Sequence, residues 1–519
     1  MRTYILVCLS VFCFTVVAQQ PVIDWQKTIG GSTNDFANAV HQCKDGGYIV
    51  AGNTQSTDSD VVGNHGGYDY FIVRLDSIGN VKWKKTYGGT KDDNVYAVKE
   101  CRDRCFVLAG TTKSNNGDVS GNHWNGSLQN SDYWIVKLDS IGGIIWQKTL
   151  GGNGSDIAYS IDECISGGYI VVGEASSGWT SGDGDIDTSH SPIQSEAWVV
   201  KLTDMGGIEW QKSLGGTGID YAESIKQTND GGYIIAGTTY SNNGDVIGHN
   251  PTNGADGWIV KLNHLGAIEW QNPVGGSSED YLQSVIQCYD GGYLACGNTS
   301  SMDSDISGSH GNWESWVVKI SNNGVIEWSK VFGGALEDYA YSVFQTSDSN
   351  YIVAATSLSI DGDIIDKKGA MDYWLFKLDE SGKMVWQKSF GGSNWDNPNS
   401  IEQCSDGNFI IAGYSRSNDK DVLINKGLAD YWIVKTKLEN TVGLENNNRA
   451  EFGFYPNPTT DILFIEANRY TLITIHDLNG KIVQSQDIDK QGQIDISSLS
   501  SGMYLLRTKE GLTRKFIKE

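Results

Sequence analysis

A short phrase returns seven times along this chain: WQKTIGG at Trp25, WKKTYGG at Trp83, WQKTLGG at Trp146, WQKSLGG at Trp210, WQNPVGG at Trp270, WSKVFGG at Trp328 and WQKSFGG at Trp386. Successive copies lie 58, 63, 64, 60, 58 and 58 residues apart. Repetition at such a period constrains the fold more than composition does, because one unit of an array cannot bury its own apolar face and must stack on its neighbours. A second phrase keeps pace with the first: YFIVRL, YWIVKL, AWVVKL, GWIVKL, SWVVKI, YWLFKL and YWIVKT, from Tyr70 to Thr436. A third resembles DGGYIVAG, as in Asp45 to Gly52 and Asp230 to Gly237.

Each unit reads as four strands. In residues 220 to 275, YAESIKQ is a first strand, NDGG a turn and GYIIAGTT a second strand; Asp-Gly between apolar runs is a strong hairpin signal. A polar loop leads to GWIVKL, apolar on both sides as a doubly packed strand should be. NHLG then turns into AIEWQN. Four strands repeated seven times predict an all-β chain with a seven-bladed β-propeller; an open β-solenoid is the alternative. The chain begins with a fourth strand, Val22 to Ile29, and the last unit stops after its third, Tyr431 to Thr436. Pairing the two would close the ring and remove its open edges.

The repeat explains the composition. Of 519 residues 63 are Gly, 17 Trp and 7 Pro, which suits many short strands and tight turns. Seven Trp fall on fourth strands and six on third strands, where Phe71 takes the seventh place; these read as packing between blades. Lysines recurring on fourth strands (Lys27, Lys85, Lys148, Lys212, Lys330, Lys388) read as guards of an outer edge. Cys43, Cys101, Cys164, Cys288 and Cys404 share one repeat position with Thr228 and Thr346, as small half-buried residues would. Cys101 and Cys105 flank one hairpin turn, where a local bridge is an option.

The net charge is -24, which argues against nucleic acid and anionic lipid as partners. Three acidic positions recur in every unit. The first follows the Gly-Gly: Asp35, Asp93, Asp156, Asp220, Asp280, Asp338 and Asp396. The second lies in the long loop: Asp60, Asp118, Asp185, Asp245, Asp305, Asp363 and Asp421. The third opens the third strand: Asp69, Asp132, Glu196, Asp256, Glu314, Asp372 and Asp430. All three should crowd one rim. One reading is structural, with Asp accepting backbone N–H bonds in Asx turns. The other is Ca²⁺, which takes six to eight oxygen ligands, held by Asp58 and Asp60, Asp183 and Asp185, or Asp303 and Asp305.

No nucleophile elbow, metalloprotease or phosphate-loop phrase occurs. A glycosidase needs two carboxylates in distinct environments, and such a pair should be singular, whereas most acids here are repeated. The features that break the repetition are the better candidates for ligand binding: His123, Trp124, Trp179, Asp183, Asp187 and His190 in the long loops of units two and three, with Trp313 and Trp395 in other connections.

At the N-terminus Arg2, the apolar run Ile5 to Val17 and the small residues before Gln19 read as a secretory signal over residues 1–18. Its run is too short for a comfortable membrane span. The propeller then occupies 19–437, a polar linker 438–450, and a small β-sandwich 451–519. From Glu445 onward there are 9 bases and 10 acids, so the negative charge belongs to the propeller.

The last segment carries Tyr455-Pro456-Asn457-Pro458-Thr459, a strand pair about Asn479-Gly480-Lys481, Gly502-Met503-Tyr504-Leu505-Leu506-Arg507 and a basic end with Lys515 and Lys518. It resembles the type A C-terminal sorting domain of the type IX secretion system of Bacteroidota. The resemblance implies Sec export, passage across the outer membrane by the type IX machinery, removal of the domain, and attachment to surface lipopolysaccharide or release. The propeller is similar to WQKxxGG-repeat proteins that accompany such domains, some of which carry an endoglucanase label. The expected function is binding or scaffolding at the cell surface, with a glycan or matrix ligand. The alternatives are a polysaccharide hydrolase and a purely structural protein.

Overall fold

The computed structural model of the chain describes residues 20–123, 130–176, 184–186, 190, 194–249, 254–438, 452–455, 458–467, 471–477, 480–489, 491–509 and 513–519. The signal segment and all but the first residue of the linker lie outside these. The chain folds as two compact units, Met1–Asn440 and Thr441–Glu519. No described helix is long and apolar enough to cross a membrane.

The first unit is a seven-bladed β-propeller. Each blade is a four-stranded antiparallel sheet in sequence order, except the seventh, whose outer strand is Pro21–Ile29 from the start of the chain. That strand pairs antiparallel with Asp430–Leu438, Thr28 opposite Trp432. The first strands, Asp35–Gln42, Asp93–Glu100, Asp156–Glu163, Asp220–Gln227, Asp280–Gln287, Asp338–Gln345 and Asp396–Gln403, each neighbour the next, and the seventh lies beside the first. Ile29, Val50, Phe71, Tyr431 and Ile433 share one core, joining the seventh blade to the first. The Tyr431 hydroxyl donates to the Phe71 carbonyl at 2.8 Å, as Tyr70 does to Trp134 at 2.9 Å one junction on.

Alternation explains which residues pack. Second and third strands are buried on both sides, while first strands alternate buried with half-buried residues that face the axis. Every first strand has a β-bulge at one fixed place, as between Ala222 and Ser224. The two Trp series divide the packing. Third-strand indoles are fully buried, and five of the six donate their N–H to the Gln of the recurring phrase, as Trp198 to Gln211 at 2.8 Å, while Trp316 donates to Ser329, which stands in the Gln position. Fourth-strand indoles lie against the aromatic that opens the next blade's second strand, Trp25 on Tyr48 at 5.6 Å and Trp386 on Phe409 at 6.4 Å. Two of the fourth-strand lysines tie loops as well as edges: Lys85 donates to the Gly142 carbonyl at 2.8 Å and Lys388 to Asp366 at 2.6 Å.

All seven described cysteines are free. Cys101 and Cys105 do not bridge; the Cys101 thiol instead donates to the Tyr169 hydroxyl at 3.8 Å. Burial pushes its pKa up to about 12, so it is no nucleophile.

The second unit pairs a three-stranded sheet (Phe452–Tyr455, Ile462–Ala467, Gln491–Asp495) with a four-stranded one (Ile482–Ile488, Thr471–His476, Gly502–Thr508, Thr513–Lys518). Leu463, Ile465, Ile473, Ile475, Leu506 and Phe516 fill the core they share.

The borrowed outer strand yields a direct expectation. Deleting residues 20–30 removes Trp25 and Ile29 from the seventh junction and leaves an unpaired edge on Asp430–Leu438. Calorimetry should show a melting temperature lower by roughly 10 °C or more; an unchanged value would mean that this strand does not hold the ring together.

Candidate functional site

The junction between blades is built around the first glycine of each Gly-Gly. A Cβ on Gly88 would lie 2.6 Å from Asp69 Oδ1 and 2.7 Å from Asp93 Oδ2, so only glycine fits. Gly30, Gly151, Gly275 and Gly391 are flanked alike, by Asp430 and Asp35, Asp132 and Asp156, Asp256 and Asp280, and Asp372 and Asp396. The acid that opens each first strand accepts the amide of the second glycine, as Gly89 to Asp93 and Gly276 to Asp280, both at 2.7 Å. In five of the blades it also accepts hydroxyls from a Thr/Ser-x-Ser phrase after the second strand: Thr54 and Ser56 on Asp35, Thr239 and Ser241 on Asp220. The loop acid completes the grip by accepting the first glycine's amide, as Gly88 to Asp118 at 3.2 Å, while its own amide donates to that glycine's carbonyl at 2.9 Å.

A histidine ring meets the third-series acid in five blades. His65, His123 and His249 set Nδ1 at 2.7 Å from Asp69, Asp132 and Asp256, and His190 and His310 set theirs at 3.2 Å from Glu196 and Glu314. In blades six and seven Lys368 and Lys426 take the place, their amides donating to Asp372 and Asp430 at 2.6 and 2.5 Å. The other end reaches the loop acid of the next blade: His123 Nε2 is 3.8 Å from Asp185 and His190 Nε2 is 3.7 Å from Asp245. Lys426 pairs with Asp60, carrying the pattern from the seventh blade to the first. The five loop histidines thus occupy one repeat position.

The facing acids have a cost. Asp69, Asp132, Asp256, Asp372 and Asp430 each leave a buried Oδ1 without a hydrogen-bond partner, and these are the atoms that meet the neighbouring carboxylate across the glycine. Burial first, and the facing carboxylate in addition, raise Asp69, Asp280, Asp396 and Asp430 to about 6. One proton between two carboxyls satisfies both.

The alternating acids read as calcium ligands have other work. Asp58 Oδ1 accepts the Ser32 amide at 2.8 Å and Asp303 Oδ1 the Ser277 amide at 2.7 Å. Asn116 and Asn243 do the same for Thr90 and Thr217, both at 2.9 Å, so the position needs an acceptor and not a charge. The next residue turns left-handed, Ser59 and Ser304 at φ 56° and Gly184 at 62°. Asp60 is held by Lys84 at 2.8 Å as well as by Lys426, and Asp305 and Asp185 accept Gly275 and Gly151 amides at 3.2 and 3.3 Å. Among the described residues no group of three or more His, Cys, Asp or Glu could hold a metal ion.

Of the residues nominated for ligand binding, Trp124, Trp179, Asp183 and Asp187 lie outside the described residues. His123 and Asp185 line a cavity of about 620 Å³ between blades two and three, with Gln147, Lys148 and Thr149. His190 serves the junction described above. Trp313 lies between Tyr281, stacked at 5.3 Å and 13°, and Tyr339 at 6.4 Å. Trp395 is 43% exposed, with the Arg416 guanidinium 5.5 Å from its ring centre.

These last two belong to an aromatic arc that the sequence did not disclose. Tyr240 and Tyr281 hydroxyls donate to Glu279 at 2.9 and 2.7 Å, and Tyr339 donates to Glu337 at 2.9 Å. Phe36 packs on Tyr414 at 4.8 Å and on Tyr68 at 6.3 Å. The arc runs over blades four to seven and into the first, at the Gly-Gly end. Its signal was the residue preceding or following each repeated acid, which varies freely while the acid does not.

In the C-terminal unit Tyr455 lies on the first strand, and Pro456 and Asn457 lie outside the described residues; Pro458 is exposed. Gly502 opens its strand, Tyr504 stacks on Phe516 at 5.6 Å, Lys515 is exposed, and the buried Lys518 lies 4.0 Å from Asp461.

Residues 453–519 match the secretion system C-terminal sorting domain. This is a β-propeller protein that carries a type IX sorting domain, which marks it for export to the cell surface or extracellular space. No curated protein matches the sequence. Among solved structures it is similar to the Pan2 WD40 domain of Neurospora crassa (10% identity, 79% of this chain and 99% of that one, TM-score 0.43). It is also similar to BamB from Moraxella catarrhalis (10% identity, 80% and 99%, TM-score 0.35). A third is a fungal alcohol oxidase of the AA5 family in complex with copper (10%, 96% and 99%, 0.43).

The raised junction acids fix a pH dependence. Their folded pKa exceeds the ordinary 3.8, so their contribution is fully present below about pH 4 and is lost as pH rises through 6. Acids lowered by hydrogen bonds and lysines, such as Asp230 (the Thr228 hydroxyl, the Gly232 amide, then Lys261) and Asp348 (Lys377, then the Thr346 hydroxyl), both at about 2, act oppositely and lose their contribution below 4. Scanning calorimetry should therefore find the propeller more stable near pH 5 than at pH 8. Asp69→Asn should reduce the difference, and a profile rising from pH 5 to 8 would refute the shared-proton picture.

Proposed function

We propose that the exported propeller is a binding module, with the aromatic arc at its Gly-Gly end taking a glycan or a matrix polymer at the cell surface. One observation carries the reading. The polar groups that recur in every blade are consumed by the junctions, whereas Trp313 and Trp395 fall outside the repeat and stand at the Gly-Gly end with Tyr240, Tyr281 and Tyr339. Large aromatic faces beside carboxylates that accept hydroxyl hydrogens suit a polyhydroxylated ligand, the rings covering C–H faces and Glu279 and Glu337 meeting hydroxyls. Trp313 offers an edge between two tyrosines, and Trp395 offers the face that Arg416 leaves open. The arc belongs to the first unit and the sorting motif to the second, so binding and export use different parts of the chain.

Two experiments test it. A glycan array, run with the mature protein with and without Ca²⁺, should give retained spots. Trp313→Ala should weaken them at least tenfold, as loss of an aromatic anchor does, with the melting temperature little changed. Full retention by the variant would sink the arc as the site, and reducing-sugar release would make the protein a hydrolase instead. Separately, deleting residues 450–519 should leave the propeller inside the cell; continued surface display would refute the address.

A further inference from the structure

The bulge of each first strand aims one extra residue at the axis. In chain order these residues are Asn38, Tyr96, Tyr159, Glu223, Gln283, Tyr341 and Asn399. The position is repeated but its chemistry is not. Beside it lies a second-strand position of the preceding blade. There Asn53 accepts the Val95 amide and Asn298 the Ala340 amide, each at 2.8 Å, capping the next bulge. The third blade has Glu174 in that register, opposite Ile157 as Asn53 is opposite Phe36. Glu174 therefore adjoins the bulge that carries Glu223. Neither carboxylate belongs to the three series that recur in every blade.

Their surroundings are aromatic. Tyr96 and Tyr159 rings are 5.3 Å apart at 59°, and the Tyr159 hydroxyl donates to Glu174 at 3.4 Å. Tyr221, one step nearer the Gly-Gly end, feels both acids. The Glu223 carboxyl has no hydrogen-bond or ion-pair partner among the described residues, although it is half-buried on the innermost strand. Burial, and then Glu174, push Glu223 up to about 8. One level deeper the axis carries Lys99, 3.3 Å from Asp162, and His41, 3.0 Å from Glu402. The Lys226 ammonium stands near Asp162, Lys99 and Glu402. These deeper charges balance among themselves and leave Glu174 and Glu223 uncompensated. An unpaired acid beside a second carboxylate and a pair of packed tyrosines is suited to an organic cation, which gains from the carboxylates and from the aromatic rings together.

We infer that Glu174, Glu223, Tyr96 and Tyr159 form an axial site for an organic ammonium group, and that Glu223 gives up its proton when the cation enters. The step balances: a neutral carboxyl releases one proton to solvent and the bound cation replaces its charge. The site is distinct from the aromatic arc and does not depend on it, since none of its four residues belongs to the arc.

The test is isothermal titration of the mature protein with n-butylammonium at physiological salt. Runs at pH 7 in two buffers of different ionisation enthalpy count the protons released. The expected result is close to one proton released per cation bound, and an affinity that rises toward pH 8 and then levels. Glu223→Gln should abolish the proton release and weaken binding at least tenfold, and Glu174→Gln should weaken it while keeping the release. Should Glu223→Gln fail to fold, the pH dependence of the wild-type affinity decides alone. No saturable binding, or affinity independent of pH between 6 and 8, overturns the inference. Heat from Ca²⁺ that Glu223→Gln removes, without any from butylammonium, overturns it in favour of a metal site.

Discussion

Each blade is fastened to the next through a glycine gripped by carboxylates, and most of the recurring polar sequence follows from that grip. The Gly-Gly exists because two acids approach within 3 Å of where a side chain would start at Gly88. The acid after it exists to accept the second amide, and the Thr/Ser-x-Ser phrase exists to donate to that acid. The loop acid closes the ring of bonds from the other side. A hydrogen bond to a charged acceptor contributes roughly 1.5–3 kcal/mol when buried, and here it is made at seven junctions.

The grip carries its own opposition. It places acids from adjacent blades face to face in a buried space, where burial and mutual repulsion both disfavour the second charge. The histidine rings of five blades, and the backbone amides of Lys368 and Lys426 in the other two, occupy one oxygen of each third-strand acid. The other oxygen faces the neighbouring carboxylate across the glycine. The rim thus spreads three acids per blade over amide, hydroxyl and ring partners.

The repeat made the architecture legible. Trp25 and Trp432 announced the outer and inner faces of a shared blade, and the orphan strand at each end of the array announced their pairing. The junction chemistry was less legible because its partners are distant in sequence: Gly30 meets Asp430, and Asp60 meets Lys426. The histidines were hidden by loop length. His65 precedes its acid by four residues, whereas His123 precedes its own by nine, so a fixed spacing cannot align them. The Asp-x-Asp loops read two ways. Alternate acids have the spacing of metal ligands, and the Asn at positions 116 and 243 makes the same turn bond as Asp58 and Asp303.

A ring of equal blades restricts where individuality can arise. Residues between blades must satisfy the same neighbours seven times, and they repeat. Residues on the axis meet one another as well as the adjoining blade, so a change in one blade is felt by the rest through a space that exists only once. The bulge widens this freedom, because its extra residue is outside the ladder and answers to no pairing partner. Asn can occupy it and cap a neighbour, Tyr can fill it, and Glu223 can stand there unpaired. The axis is thus the place where seven similar sequences can build one dissimilar site, and an unpaired acid at that place is a better guide to function than any residue that recurs.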